Sequence, residues 1–383
     1  MRAAERLSSG NPVYQLEDLD AHTKPPFCTL LFLPLHHLNF FWLERIWDLI
    51  NLSVFVGLAI FFAKQFESDH TRSDPFRLAL LGILFTLSSW NAEIRLGQFN
   101  VIGMGLILVA ALAKPAALRS LALFVAMLLK PTNIIFLPWI ARFGKNPFRL
   151  VLGTTIWGIF FSAIYCFHFG TEAFIKDHQS WLAYLGPSSA KHIIRLDNLG
   201  LPSASALLLG NSFQNFFLGL GVILTGFISW KWPRSPWPAF SLAAVMVVIF
   251  SPMAWPQNYS LLLPLVIWIW RYWDVLRGVG QSFISRAHAI APPSLFAHAI
   301  APPSLFGGVL RTPERKSKVI GSSLVVFYVT QQLYNPSTWD YWGPLGRIKL
   351  PLVGTLCVLV LFLWAISAPG AKPALENQSP KAL

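Results

Sequence analysis

About ten apolar runs of near-spanning length, divided by short basic loops, restrict this chain to a helical membrane fold. A helix needs about 20 residues to cross about 30 Å of hydrocarbon. The runs are Leu43–Ala63, Leu78–Ala92, Phe99–Ala113, Ala117–Leu129 paired with Ile134–Ala141, Leu150–Phe169, Phe213–Trp230, Trp237–Phe250, Tyr259–Tyr272, Val319–Leu333 and Leu350–Ile366. Phe27–Leu35 is apolar but short, and reads as a re-entrant or interfacial piece. Composition agrees, since 12% of residues are charged where a soluble domain has about 25%. Met1–Lys24 is polar and has no apolar stretch of the kind a cleavable signal peptide carries.

The net charge of +13 does not indicate nucleic acid, because the basic residues are spread over loops and form no single stripe. The positive-inside rule accounts for them. The loops Lys64–Arg77, Lys114–Arg119, Arg142–Arg149, Lys231–Arg234, Arg271–Lys318 and the tail with Lys372 and Lys381 then share the cytoplasmic side. This alternation requires Ala117–Ala141 to go out and back as two short helices. Met1–Phe40, Glu93–Gln98, Thr171–Ser212, Pro252–Asn258 and Tyr334–Lys349 then face outward, and they hold most of the unusual polar residues. Cys28, Cys166 and Cys357 are isolated, with neither metal spacing nor a disulfide framework. In the long basic loop, Ala287–Phe296 is repeated as Ala297–Phe306, a local duplication too short for a solenoid.

Lys130 interrupts an apolar stretch and is followed by Pro131. A charge at mid-bilayer costs about 2.5–3.5 kcal/mol on insertion scales and usually faces a cavity, partner or substrate. Pro131 removes a backbone donor and breaks or kinks the helix there. Lys130 therefore either snorkels from a short helix's end or meets an anion such as phosphate. Trp90–Asn100 is the densest polar segment. There Arg95 either serves a phosphate or carboxylate, pairs with Glu93, or snorkels, with Gln98 and Asn100 beside it. Ser251–Tyr259 brackets Trp255, Gln257 and Asn258 between prolines, which fits either a site or an interfacial Trp turn. Asp197 and Asn198 either bind a sugar or make an Asx turn.

R-L-G-Q-F-N, L-L-K-P-T-N-I-I-F-L-P, D-N-L-G-L-P-S and S-P-M-A-W-P-Q-N-Y-S occur in this order. Together they resemble family 87 glycosyltransferases, multispanning enzymes of the GT-C class. The family pattern maps onto Gly97, Gln98, Asn100, Lys130, Pro131, Asn198, Ser251, Pro252 and Trp255. The resemblance implies an all-α polytopic GT-C-like bundle of about 10 transmembrane helices, with a broken helix pair and an active site in the outer loops. It also implies polyprenyl-phosphate-mannose-dependent α-1,2-mannosyl transfer in cell-envelope synthesis, at the extracytoplasmic face of a bacterial inner membrane. Arg95 and Lys130 would bind the donor phosphate. Gln98, Asn100, Asp197, Asn198, Trp255, Gln257 and Asn258 would hold sugar or acceptor. The substrates would be a lipid-linked sugar donor and a glycolipid or glycan acceptor, with no cofactor, no metal and no nucleic acid.

The family's pattern places a further span and a catalytic aspartate upstream of Met1, and histidines where this chain has Gln257 and Asn258. Asp18, Asp20 and His22 are the remaining candidates for the acid–base role. The expected organisation is a core over residues 1–275, with outer loops 1–42 and 171–212. A cytoplasmic Pro-rich loop (276–318), C-terminal helices (319–370) and a tail (371–383) follow. Two other readings stay open. One is a transporter or flippase, from the broken helix with its cation. The other is a binding-only relative, from the altered acid–base positions.

Overall fold

A computed structural model describes residues 2–9, 11, 13–14, 24–35, 37–66, 74–195, 198–210, 213–231, 236–271 and 355. The duplicated decapeptide, the runs Val319–Leu333 and Leu350–Ile366, and the tail lie outside the described residues. Every described element is helical. In chain order they are α1 (Arg2–Ser8), α2 (Pro26–Phe32), α3 (Phe40–Gln65), α4 (Pro75–Arg95), α5 (Asn100–Leu112) and α6 (Ala116–Leu129). Then come α7 (Leu137–Phe143), α8 (Pro147–Phe169), α9 (Thr171–Ile193), α10 (Leu201–Leu209), α11 (Gln214–Lys231) and α12 (Pro236–Phe250). Short 3-10 segments cover Pro131–Phe136 and Pro256–Leu262.

The chain divides into two compact units, one of residues 1–58 and 86–262 and the other of 59–85 and 263–382. In the first, α12 is the core helix, with every residue buried. Around it, Trp139 on α7 donates its indole N–H to Pro236 O at 2.8 Å, and Phe136 stacks on Phe240. Gly221 on α11 lies where a Cβ would come within 3.0 Å of Phe250. α6 and α8 approach closely at Gly153, where a Cβ would stand 2.7 Å from Ser120 Cβ. Buried Arg119 ties the end of α5 to the α7–α8 connection by donating to Ala110 O at 2.8 Å and to Lys145 O. In the second unit, Phe62, Phe66 and Trp268 stack, and Arg271 donates to Phe66 O at 3.0 Å.

Among the described residues, two helices, Phe41–Gln65 and Pro147–Phe169, are long and apolar enough to cross a membrane, and α4 with α5 would make a third, bent span. Little of α8 is buried inside the molecule, and Ile156 and Ile159 are exposed. A helix that is apolar all round and uncovered by protein suits hydrocarbon. Two of the expected runs, Ala117–Leu129 and Trp237–Phe250, form helices of 14 and 15 residues. These are short of the about 20 that a straight span needs. The Thr171–Ser212 connection, read as a loop, contains α9 and α10. α9 is helical although its sequence is largely polar, because it lays Tyr184 and Trp181 against Tyr14 and Tyr165.

Candidate active site

The site is built on the turn between α4 and α5. α4 closes with Gly97 at φ 59, a left-handed conformation that glycine adopts without steric cost. The Gly97 and Gln98 amides donate to Ile94 O and Glu93 O at 3.0 and 2.9 Å. α5 then leaves at 104° to α4. Its cap residue, Phe99, has no side-chain oxygen to offer the first amides. Glu93 fills that role from the preceding helix. Fully buried, it accepts the Val101 N–H on Oε1 at 2.7 Å and the Ser260 O–H on Oε2. A carboxylate at a helix N-terminus also meets the positive end of the helix dipole. Arg95 is exposed and makes no hydrogen bond or ion pair among the described residues, so the Glu93–Arg95 pair is not formed.

Lys130 ends α6 in an extended conformation (φ −150, ψ 97), just where Pro131 forbids a continuing helix. Asn133 secures the break by donating its amide to Ala126 O at 2.8 Å. The Lys130 ammonium donates to Asn100 Oδ1, and Asn100 Nδ2 reaches Gln257 O at 3.4 Å. Lys130 is attracted by Glu93 and repelled by Lys24. Lys24 stands half-buried just before α2, and its carbonyl accepts the Tyr14 hydroxyl at 2.6 Å. Burial lowers its ammonium below the usual lysine range. One turn further on, Cys28 packs against Leu128 and Leu129, the two residues before Lys130.

A second set of contacts fixes the far end of the same segment. Asn198 Nδ2 donates to Pro252 O at 2.7 Å, its Oδ1 accepts Ala254 N–H at 3.0 Å, and Leu199 N–H meets Ala254 O at 2.5 Å. The Gly200 amide, 3.4 Å from Asn198 Oδ1, adds the Asx turn that was one of its two readings. Gly200 has to be glycine here, since a Cβ would stand 2.4 Å from Ser251 O. Asn258 donates to Met253 O at 2.7 Å. The Trp255 ring meets the Arg195 guanidinium at 5.6 Å and the His192 ring edge-on at 5.4 Å.

The residues 251–262 therefore join the two sets. Asn198 clasps one end. Glu93 holds Ser260 near the other, and Asn100 holds Gln257 between them. Lys130, Asn100, Gln257, Asn258, Trp255 and Asn198 belong to one connected polar segment. Gln98 turns back on its own turn, 3.4 Å from Leu96 O. Asp18, Asp20, His22 and Asp197 lie outside the described residues. Sequence reasoning missed Lys24, Ser260 and the inward role of Glu93. A carboxylate next to an apolar run was the one available signal. Among the described residues, no group of three or more His, Cys, Asp or Glu is placed to hold a metal.

The family model for glycosyltransferase family 87 matches residues 22–256, which include Lys24, Glu93, Arg95, Gln98, Asn100, Lys130, Asn198 and Trp255. No curated protein and no solved structure matches the chain.

Proposed function

The chain belongs to glycosyltransferase family 87, and from that premise we propose a membrane enzyme that moves a mannosyl group. The donor is a polyprenyl-phosphate sugar, and the acceptor is an extracytoplasmic glycolipid or glycan. The fold proposed with it is the GT-C bundle of about ten spans. The observation that carries the reading is the half-buried Lys130, its ammonium held by Asn100 at a helix break and joined through Gln257 to the Trp255 turn. A cation so placed suits a donor phosphate.

In the reaction, the bond between the anomeric carbon and the phosphate oxygen breaks, and its electron pair leaves with the phosphate. The acceptor oxygen bonds that carbon and gives its proton to a base. Lys130, together with the exposed Arg95 that ends α4, offsets the charge that grows on the departing phosphate. Gln98 offers its amide to sugar hydroxyls and Trp255 a flat apolar surface, while the buried Asn100 and Asn258 hold Lys130 and the Trp255 turn in place through the hydrogen bonds they already make. Asn198 and Gln257 shape that surface through the hydrogen bonds they make. Glu93 is a positioning residue, because both of its oxygens are already accepting hydrogen bonds.

The test is sugar transfer from a polyprenyl-phosphate donor by membranes carrying the wild-type chain or K130A. Transfer by the wild type that drops by about 100-fold or more in K130A upholds the reading, since removing a charged donor from the transition state costs about 3 kcal/mol. Equal turnover by K130A overturns the phosphate role. Binding of the donor by the wild type with no transfer would mark a binding-only relative.

A further inference from the structure

Lys24 and Lys130 are brought toward each other by two different segments, α2 lying on α6. The N-terminal stretch delivers Lys24 at the foot of α2, and the broken helix delivers Lys130 at the end of α6. Packing of Cys28 on Leu128 and Leu129 fixes the two segments against each other. The two like charges oppose each other. An ammonium carries three N–H donors. Lys130 uses one, on Asn100, and Lys24 makes no side-chain hydrogen bond or ion pair among the described residues. Glu93 attracts Lys130, but both its oxygens are spent on Val101 and Ser260. On the same two segments, the hydroxyls of Thr29 and Thr132 are buried without a hydrogen-bond partner. The result is two like charges with unused donors, on segments that also carry unused buried hydroxyls, and an anion would relieve both.

We infer that Lys24 and Lys130 together form a binding site for a phosphate group, with Lys24 a cation of the site in addition to those named above. Lysines act as mobile point charges whose donors can address separate oxygens of a tetrahedral anion. The lipid as the owner of that phosphate rests on the transferase reading; the phosphate site does not.

The experiment measures dissociation constants of the full chain in nanodiscs for two probes, a short-chain polyprenyl phosphate without sugar and inorganic phosphate. K24M is expected to weaken lipid-phosphate binding about tenfold or more, the equivalent of one charge-assisted hydrogen bond. K24R is expected to restore it to within a few-fold. K24Q carries the same test if K24M fails to fold. Unchanged affinity in a folded K24M or K24Q overturns the site. Lipid phosphate binding well ahead of inorganic phosphate supports the lipid as owner. Equal affinities assign the site to a soluble phosphate and overturn that ownership. Sugar transfer by the wild type with unchanged affinity in K24M overturns the site and keeps the transferase reading. Tenfold weakening without transfer by the wild type does the reverse.

Discussion

Glu93 is a fully buried carboxylate whose oxygens meet an amide and a hydroxyl. Removing it leaves the buried Val101 amide unsatisfied beside an empty carboxylate site and leaves the Ser260 hydroxyl only Gln257 O, 2.8 Å away. E93A is expected to destabilise the chain by about 3 kcal/mol, and S260A by about 1 kcal/mol, read as melting temperature in detergent. Lys24 gives a pH signature. Its ammonium is held below the ordinary range, so phosphate binding is complete while it is protonated and fades as pH rises through that lowered value. In K24R the guanidinium stays charged, and the fading moves to higher pH. Lys130 and Cys28, the charged and titratable groups that face it, are the same in both variants. The measurement is lipid-phosphate affinity from about pH 6 to about pH 10. Lys130 was legible in the sequence because a charge before a proline inside an apolar run has few meanings. Glu93 was weighed only as a neighbour of Arg95, because its real partner is 167 residues away. Lys24 was invisible, since its significance arises only when α2 lies on α6.

Elements recognisable by apolar length were found close to their true bounds, as with Leu150–Phe169 against Pro147–Phe169. The break at Lys130–Pro131 was readable because proline cannot continue a hydrogen-bonded helix. α9 was not readable as an element, because a helix that buries one stripe of aromatics and leaves its other faces polar has no apolar run to announce it. The clasp between residues 198–200 and 251–254 depends on close backbone approach. G200A places a methyl 2.4 Å from Ser251 O and has to push the two stretches of chain apart. It is expected to cost about 1–3 kcal/mol and to reduce sugar transfer along with stability. N198A removes the clasp's hydrogen bonds without the steric push. Comparing melting temperature and transfer in the two variants separates them.

At the scale of the whole molecule, helices long and apolar enough to span a membrane set the expectation that the chain stays in the membrane fraction after alkaline carbonate washing. Release into the wash would contradict it. The family-level outline was legible because it lives in the order of short motifs, and those motifs turned out to share hydrogen bonds. The 104° bend between α4 and α5 has a consequence in time. The carboxylate that caps α5 needs Ser260, and Asn100 needs the Gln257 carbonyl, 167 and 157 residues downstream. At ~5–20 residues per second, the ribosome takes roughly 10–30 s to deliver them. For that interval the bent pair sits in the membrane with its carboxylate half-satisfied, so this pocket is completed late in synthesis, and a nascent chain stopped before Pro256 would carry every span of the site's walls but no closed site.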